Sequence, residues 1–398
     1  TDADVVLVIG SFCDPTFGSV MMFGLGGIYV EILRDVSFRV CPIDRADASG
    51  MINELRFNAI LDGVRGGPKV DRETLIELLL TIGGADGLLS NLGGEITELD
   101  INPVIINGKH AVAVDALMLM SELARPPKQI TRKVARGADE FDALFLPKTV
   151  AIAGASSTNT AYGNRFIRTL RASGFEGEIY PIHPRADEIE GLPAYPSFSA
   201  TPKPIDYAFV AVNASQVIPL IETAAGNVRF AQVMSSGFAD IPTGVALERE
   251  LVRVAHANGA RVIGPNCIGL HSPRGKLSLV DNLGPAKPGV AFISQSGGLS
   301  LDALRYGQTR GLNFSAVVSL GNSADIGPTD MLEYFLHDPD TKVIGLYLEQ
   351  VGDGRRLFEL LRDAGARKPI IILKGGRTRS GQRAAASHTG ALANDQRV

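Results

Sequence analysis

The chain has 398 residues, of which 45% are hydrophobic and 21% are charged, and its formal net charge at pH 7 is -4. This composition is typical of a soluble globular protein, and it lacks the basic excess that nucleic acid or an anionic membrane attracts. The longest apolar runs, such as residues 207–212, are too short to span a bilayer, and the N-terminal sequence does not resemble a signal peptide. We therefore expect small-molecule partners and a cytoplasmic location, and no nucleic acid or membrane partner.

The three cysteines, Cys13, Cys41 and Cys267, are far apart in the sequence. An odd number of cysteines without the CxxC spacing of metal sites predicts neither a disulfide framework nor a zinc site. We expect all three to be reduced thiols.

A chain of this length exceeds one ordinary hydrophobic core, so two or three domains are expected. The first predicted domain covers residues 1–121. Within it, segments 18–40 and 96–118 each have the pattern strand, turn, strand, and a helical segment at 71–85 lies between them. This mixture predicts an α+β domain.

Polar side chains follow one face of a predicted strand in the first domain. Glu98, Asp100 and Asn102 alternate in the sequence ELDINPV, and Asp115 ends the strand that follows. Carboxylate and amide oxygens on adjacent strands suit a Mg²⁺ ion that holds nucleotide phosphates. These residues are equally compatible with the solvated edge of a hairpin, and the sequence pattern alone does not decide between the two.

The rest of the chain is predicted to be a linker followed by two α/β domains. Residues 122–146 carry paired prolines and mixed charges with poor apolar periodicity, which indicates a linker. In residues 147–280, β-rich runs bounded by glycine alternate with helical patterns, so we expect a Rossmann-like parallel sheet covered on both faces. The pattern restarts after a Gly/Pro-rich stretch, and residues 281–398 are predicted to be a second doubly wound domain.

The first predicted strand of the Rossmann-like domain, TVAIAGAS, runs directly into a small-residue turn that opens a helix. In doubly wound folds such a turn binds phosphate on free backbone N–H groups. The glycine spacing is not GxGxxG, so an ordinary strand-to-helix turn is the alternative. The second strand is followed by His183 and Arg185 rather than by an acidic residue, which disfavours the ribose of NAD and favours a phosphorylated ligand such as coenzyme A.

Further strands of this domain also end in small or polar residues, and together these ends can line one crevice for a long ligand. The candidate coenzyme A contacts are Gly154, Ala155, Ser156, Asn164, Arg165, Asn213, Ser236, Gly237, Asn266 and Cys267.

A histidine stands among small residues near the end of the sequence, where AAASHTG contains His388. Its small neighbours leave the imidazole open to a large reactant. Glu349 ends a strand predicted to lie in the same sheet as the strand that leads to His388. A carboxylate that accepts a hydrogen bond from one imidazole nitrogen makes the other nitrogen a better nucleophile. Taken singly, Glu349 can equally be a strand-end cap and His388 a structural histidine.

A further strand-to-helix turn in the last domain has the sequence SQSGGLS, which contains Ser294, Ser296 and Gly297. Its backbone N–H groups suit a phosphate carried by the histidine. Together, these residues predict a phosphohistidine site, which a structural histidine alone does not explain.

These motifs resemble those of the NDP-forming acyl-CoA synthetase superfamily, in particular the ADP-forming acetate–CoA ligases related to succinyl-CoA synthetase. The segment ELDINPV is similar to the second half of the family's ATP-grasp domain, and TVAIAGAS to GPNCIG is similar to its CoA-binding domain. The segments YLEQVGDGRRL and LKGGRTRSGQRAAASHTGALA, both long and specific, resemble its ligase domain. The resemblance implies an α/β protein with a partial ATP-grasp α+β domain, a Rossmann-like CoA-binding domain and a flavodoxin-like ligase domain.

The resemblance also implies a reaction and roles for residues. An acid, CoA and ATP become an acyl-CoA, ADP and phosphate through a phosphohistidine and an acyl phosphate. His388 is then the phosphorylated residue and Glu349 its orienting carboxylate, while Asn102 and Asp115 are ligands of Mg²⁺ at the ATP site. Ser294, Ser296 and Gly297 begin the helix that stabilises the phosphate.

The sequence departs from the family pattern at both ends, because the first half of the ATP-grasp domain and the region after the histidine loop are absent from it. The resemblance therefore implies either a longer natural chain or a partner subunit, and a homo-oligomer is expected.

A different functional class is a CoA-sensing or acyl-CoA-sensing regulator, or an acetyltransferase-linked protein, without ligase activity. The pair Glu349 and His388 favours the ligase, because a sensor has no need of it. An NAD(P)-dependent oxidoreductase is a third alternative, and the acid that is activated does not follow from the sequence.

Overall fold

In the computed structural model, the described residues are 5–26, 35–63, 69–92, 95–121, 138–158, 161–278, 280, 284–364 and 367–376. The chain forms two compact units. The first consists of residues 1–134, 353–355 and 398, and the second consists of residues 135–352 and 356–397.

The first unit is the predicted α+β domain, built on an antiparallel sheet. Its strands are Val5–Asp14 (β1), Gly18–Leu25 (β2), Val36–Val40 (β3), Ile96–Asn107 (β4), His110–Ala113 (β5) and Ala116–Met120 (β6). Its helices are Arg45–Glu54 (α1), Arg72–Gly83 (α2) and Leu88–Asn91 (α3), with a 3-10 helix at Asn58–Asp62. The strand order is β3-β2-β1-β4-β5, and β6 also pairs with β4. Both predicted strand–turn–strand segments are confirmed, because β2 pairs with β3 and β4 pairs with β5.

Local sequence signals explain where the first helix starts and how it packs. Asp44 caps α1 by accepting the N–H of Asp47 at 2.9 Å, and the Asp47 carboxylate accepts the N–H of Asp44 at 3.1 Å. Met51 and Ile52 of this helix are buried in the same core as Phe23 of the sheet. Burial of this apolar face, rather than helix propensity alone, stabilises the helix.

The second unit begins with a five-stranded parallel sheet. Its strands are Thr149–Ala153 (β7), Glu178–Ile182 (β8), Ile205–Val210 (β11), Val228–Val233 (β12) and Arg261–Ile263 (β13), and the short strands Glu188–Ile189 (β9) and Leu192–Pro193 (β10) form a separate hairpin. Its helices are Asp142–Phe145 (α4), Tyr162–Ala172 (α5), Ala214–Glu222 (α6) and Val245–Ala257 (α7), with 3-10 helices at Ala138–Phe141, Phe198–Ala200 and Pro242–Gly244. The strand order β13-β12-β11-β7-β8 confirms a doubly wound sheet, and this order reverses between β7 and β11.

A second sheet completes this unit. Its strands are Gly269–His271 (β14), Gly289–Ser294 (β15), Phe314–Ser319 (β16), Thr341–Leu348 (β17) and Ile370–Lys374 (β18), and its helices are Gly297–Thr309 (α8), Pro328–His337 (α9) and Gly354–Ala364 (α10). The order is β14-β16-β15-β17-β18, with β14 antiparallel to β16 and the other strands parallel. Strand β14 lies inside the segment predicted as the Rossmann-like domain, yet it pairs with β16 of this sheet.

The C-terminal end of the predicted linker 122–146 is folded. Phe141, Leu144 and Phe145 are buried in the core that both parallel sheets share, and the Phe145 ring stacks on Tyr334 with centroids 4.7 Å apart. The apolar stretch is too short for helical periodicity to be visible in the sequence. Residues 122–137 lie outside the described part of the chain.

Among the described residues, none of the helices combines the length and the apolar character that a membrane span requires.

The buried histidine of β14 links stability to pH. His271 is 4% exposed, its Nδ1 lies 3.0 Å from the Ser278 hydroxyl, and its Nε2 has no hydrogen-bond partner in the described structure. Burial lowers the pKa of His271 from 6.5 to about 4. The folded protein therefore holds this imidazole neutral at pH values where the unfolded chain takes up a proton.

Lowering the pH from 7 to 4 is expected to cost about 3 kcal/mol of unfolding free energy through His271, at 1.36 kcal/mol per pKa unit. The stability is fully present above pH 6.5 and is lost as the pH falls towards the folded pKa of about 4. Urea unfolding at several pH values should show that His271→Leu loses less unfolding free energy than the wild type as the pH falls. His110→Gln, which changes an exposed histidine, is the matched control. Equal pH dependence in the wild type and His271→Leu would contradict the assignment.

Candidate active site

In the structure, the C-terminal ends of three neighbouring strands of the first parallel sheet lie side by side, as predicted. Val210 pairs with Ala153 on one side and with Val233 on the other, so three strands end at the same level. Ala211 N–H donates to the Ala153 carbonyl at 2.9 Å, and Met234 N–H donates to the Val210 carbonyl at 2.9 Å. Because the strand order reverses between β7 and β11, a crevice for a ligand is expected at this edge.

The turn after β7 depends on a glycine. Gly154 has φ +97°, and a Cβ atom placed on it would lie 2.2 Å from the Ala211 carbonyl oxygen. The turn is then closed by Asn164, whose Oδ1 accepts the N–H of Ser156 at 2.8 Å and whose Nδ2 donates to the Ser156 carbonyl at 2.8 Å. Asn164 is fully buried and also donates to Glu190 at 3.0 Å, so its side chain shapes the turn from inside.

The candidate coenzyme A contacts fall into three groups in the structure. Arg165, Asn213 and Ser236 are exposed, whereas Asn164, Ala155 and Cys267 are buried. The remaining four are partly exposed: Gly154, Ser156, Gly237 and Asn266. The Cys267 thiol donates to the carbonyls of Val233 and Ile263 at 3.5 and 3.7 Å, and burial raises its pKa to about 12. The side chains of Asn164, in the first turn of α5, and of Cys267, in the loop after β13, therefore point into the protein rather than to a ligand, which their positions in the sequence do not reveal.

A polar cluster that the sequence analysis missed lies beside the same edge. The Asn322 amide donates to the Glu248 carboxylate at 2.7 Å and to Asp240 at 3.4 Å, and the Asp240 carboxylate accepts the N–H of Gly237 at 2.9 Å. Asn266, with φ +57°, donates from its amide to Asn322 at 3.4 Å. Burial raises the pKa of Glu248, and the Asp240 charge raises it further. The hydrogen bond from Asn322 lowers this pKa but does not cancel the increase. The cluster joins the Gly237 turn to the loop after β16.

The second sheet has its own reversal of strand order, between β15 and β17. Helix α8 begins there at Gly297, with Ser296 as its N-cap accepting the N–H of Leu299 at 3.3 Å. The N–H groups of Gly297 and Gly298 thus have no protein acceptor among the described residues and suit an anion. A Cβ atom on Gly297 would lie 2.7 Å from Ile268, so this helix start packs closely on the preceding loop.

Ser294 has a different position from its two predicted partners. Its side chain is fully buried, and its hydroxyl donates to the Ser296 carbonyl at 2.8 Å and accepts the Ser296 N–H at 3.1 Å. Ser294 therefore shapes the turn, and only Ser296 and Gly297 stand at the helix start.

Glu349 lies directly opposite this turn, at the end of β17. It is 4% exposed, and its carbonyl accepts a hydrogen bond from Lys374 Nζ at 2.8 Å. Burial raises the pKa of the neighbouring Tyr347, and the charge of Glu349 and the hydrogen bond that its carboxylate accepts from the Tyr347 hydroxyl raise it further. Burial lowers the pKa of Lys374, and the Glu349 charge opposes that shift. His388 lies outside the described residues, so its pairing with Glu349 stays a prediction.

The candidate metal ligands of the first unit are neighbours. The Asn102 N–H donates to the Asp115 carbonyl at 3.2 Å, and the Asp115 carboxylate accepts the N–H of Ala116 at 2.9 Å. Burial raises the pKa of Asp100, and the charges of Glu98 and Asp115 raise it further. A divalent cation would relieve this repulsion.

Within the described ranges, no group of three or more His, Cys, Asp and Glu side chains is placed to hold a metal ion. An ion at Asn102 and Asp115 would thus need further oxygens, and nucleotide phosphates commonly supply these to Mg²⁺. The residues present fit that mode of binding.

Comparison with known families and proteins agrees with this arrangement. Family models match an ATP-grasp domain at residues 2–120, a CoA binding domain at residues 148–273 and a succinyl-CoA ligase like flavodoxin domain at residues 287–398. The ADP-forming acetate–CoA ligase II of Archaeoglobus fulgidus is 35% identical over 402 residues, which cover 99% of this chain and 57% of that protein.

Two further similarities concern parts of the chain. The β subunit of ADP-forming acetate–CoA ligase I from Pyrococcus furiosus is 46% identical over 114 residues, which cover 29% of this chain and 47% of that subunit. The solved structure of the dinucleotide forming acetyl-coenzyme A synthetase 1 of Ca. Korarchaeum cryptofilum, in complex with phosphate and ADP, is 40% identical with a TM-score of 0.61. It covers 64% of this chain and 56% of that chain.

The chain thus spans a little over half the length of the full-length ligase that it matches from end to end. The three family models follow one another in the order of the three larger sheets of the described residues, and together they account for most of the sequence. The chain belongs to the NDP-forming acyl-CoA synthetase superfamily.

Proposed function

We propose that this chain carries the CoA site and the phosphohistidine of an ADP-forming acyl-CoA synthetase. The observation that carries the proposal is the buried Glu349 carboxylate at a strand-order reversal, opposite the open N–H groups at the start of α8. A buried carboxylate beside an anion site suits a histidine that takes up and passes on a phosphoryl group. The ligase relatives support the same assignment.

The proposed reaction has three steps. A nitrogen of His388 attacks the γ-phosphorus of ATP, and ADP leaves. A carboxylate oxygen of the acid then attacks the phosphorus of the phosphohistidine, which forms an acyl phosphate and frees the imidazole. Finally, the CoA thiolate attacks the acyl carbon, and inorganic phosphate leaves as the thioester forms.

Residues of the chain have separate tasks in this sequence. Glu349 accepts a hydrogen bond from one imidazole nitrogen of His388, which fixes the tautomer and favours attack by the other nitrogen. The N–H groups of Gly297 and Gly298 stabilise the phosphoryl oxygens. CoA binds at the edge of the first parallel sheet, against the exposed residues Asn213 and Ser236.

The nucleotide is assigned to the first unit. Asn102 and Asp115 would hold Mg²⁺, which neutralises phosphate charge when bound. These residues belong to the part of the chain that resembles less than half of the Pyrococcus furiosus β subunit. The remainder of the ATP site is therefore assigned to a further segment of the natural protein or to a partner subunit. A homo-oligomer and a cytoplasmic location complete the proposal.

The decisive experiment incubates the natural full-length protein with γ-labelled ATP and Mg²⁺. Protein-bound label that is stable to base and labile to acid is expected in the wild type and absent from His388→Ala. His110→Ala, which removes an exposed histidine of the first unit, should keep the label. A wild type that takes up no label would sink the ligase assignment, and tight CoA binding by that protein would then favour a CoA sensor. If His388→Ala retained the label, the phosphorylated residue would be one other than His388.

A further inference from the structure

Gln295 joins the two strand ends that form the candidate active site. Its side chain is 3% exposed, and its Oε1 accepts the N–H of Glu349 at 2.7 Å and the N–H of Gln350 at 3.0 Å. Its backbone N–H donates to the Tyr347 carbonyl at 3.2 Å, and its Nε2 donates to the Ser323 hydroxyl at 3.3 Å. One residue thus connects β15, β17 and the loop after β16.

These hydrogen bonds fix the backbone from which the Glu349 side chain starts. β17 ends at Leu348, so the next two N–H groups lie beyond the strand, and a neutral oxygen satisfies both. An amide suits this position better than a carboxylate, because a second negative charge beside Glu349 would oppose its ionisation.

We propose that Gln295 is the positioning residue for the Glu349 carboxylate in phosphoryl transfer through His388, an inference that rests on the proposed function. Gln295 does not touch the reacting atoms. It acts by holding the end of β17, so that the carboxylate keeps its hydrogen bond with Tyr347 on its own strand and its electrostatic interaction with Lys374 on β18.

The first test replaces Gln295 by methionine, which has a similar volume but cannot make these hydrogen bonds. Loss of the acceptor for the Glu349 and Gln350 N–H groups should slow labelling of the full-length protein roughly 10- to 100-fold. CoA affinity should be unchanged, because the CoA site is assigned to the other sheet. Gln308→Met, near the far end of α8, is the matched control and should label at the wild-type rate. Labelling of Gln295→Met at the wild-type rate would overturn the proposal.

A second variant separates positioning from general damage to the fold. Gln295→Glu keeps an acceptor oxygen but adds a charge next to Glu349, so the acidic limb of the labelling rate should move to higher pH by about one unit. Labelling should then recover in alkaline buffer. A uniform loss of rate at every pH would indicate a structural role only and would reject the positioning role.

A spectroscopic measurement tests the positioning role of Gln295 without relying on ligase activity. If Gln295 holds the Glu349 carboxylate against Tyr347, then Gln295→Met should release that contact and lower the pKa of Tyr347. Ultraviolet titration of the tyrosines, with Tyr347→Phe to identify the signal, measures this shift even in a protein that takes up no label. An unchanged Tyr347 titration in Gln295→Met would refute positioning, whereas a wild type without label would refute only the ligase function.

Discussion

Replacing Glu349 by glutamine is expected to slow phosphorylation of the full-length protein roughly 100-fold, the scale of a lost acid–base partner. The glutamine keeps the size of the side chain and one acceptor oxygen, but it removes the charge that stabilises a protonated imidazole. Because Glu349 is only 4% exposed, water cannot replace that charge. CoA affinity is expected to stay unchanged.

The rate of labelling from γ-labelled ATP under single-turnover conditions measures this effect. Glu176→Gln, which neutralises an exposed carboxylate after α5, provides the matched control and should label like the wild type. Tyr347 should also ionise at lower pH in Glu349→Gln, because the charge and hydrogen bond that raise its pKa are altered. Normal labelling by Glu349→Gln, together with an altered Tyr347, would show that the carboxylate is present at the site but is not needed for transfer.

The sheets of this protein were predictable because their signals are local. Apolar runs bounded by glycine and separated by helical patterns predict buried parallel strands, and the parallel strands β7, β11, β12 and β16 follow that rule. Strand β18 has the same apolar pattern, but its Ile371 and Leu373 are exposed among the described residues. The short strand β14 escaped prediction because its three residues find their partner in β16, much later in the chain. The helix α4 was assigned to a linker for a similar reason, since its burial depends on aromatic side chains such as Tyr334 that are distant in sequence.

The candidate site was predictable at the level of strand ends but not of side-chain direction. Gly154, Ser296 and Glu349 stand at strand or helix ends as expected. Asn164 lies in the first turn of α5 and Cys267 in the loop after β13, and both side chains are buried in the protein. The sequence did not indicate a positioning role for Gln295, because a polar residue between two serines is typical of any loop. Its role depends on hydrogen bonds to residues 54 and 55 positions away.

Replacing Gly154 by alanine is expected to destabilise the second unit by about 3 kcal/mol, the sum of backbone strain and overpacking. The new Cβ atom would lie 2.2 Å from the Ala211 carbonyl oxygen, and the φ of +97° is one that side-chain-bearing residues rarely adopt. The clash can be relieved only by separating β7 from β11, where Ala211 N–H donates to the Ala153 carbonyl at 2.9 Å. This is the strand-order reversal at which CoA is proposed to bind, so CoA affinity should fall with stability.

Gly174→Ala separates the two causes. Gly174 also has a positive φ, of +71°, but nothing lies within 4 Å of a Cβ atom placed on it. Its replacement should therefore cost only about 1 kcal/mol, the conformational part, and should leave CoA affinity unchanged. Urea unfolding and calorimetric titration with CoA on both variants test this directly. If Gly154→Ala and Gly174→Ala lost the same stability, the close approach of β7 and β11 at Gly154 would have no energetic role. If the two variants also bound CoA equally, the CoA crevice would have to lie elsewhere on the sheet edge.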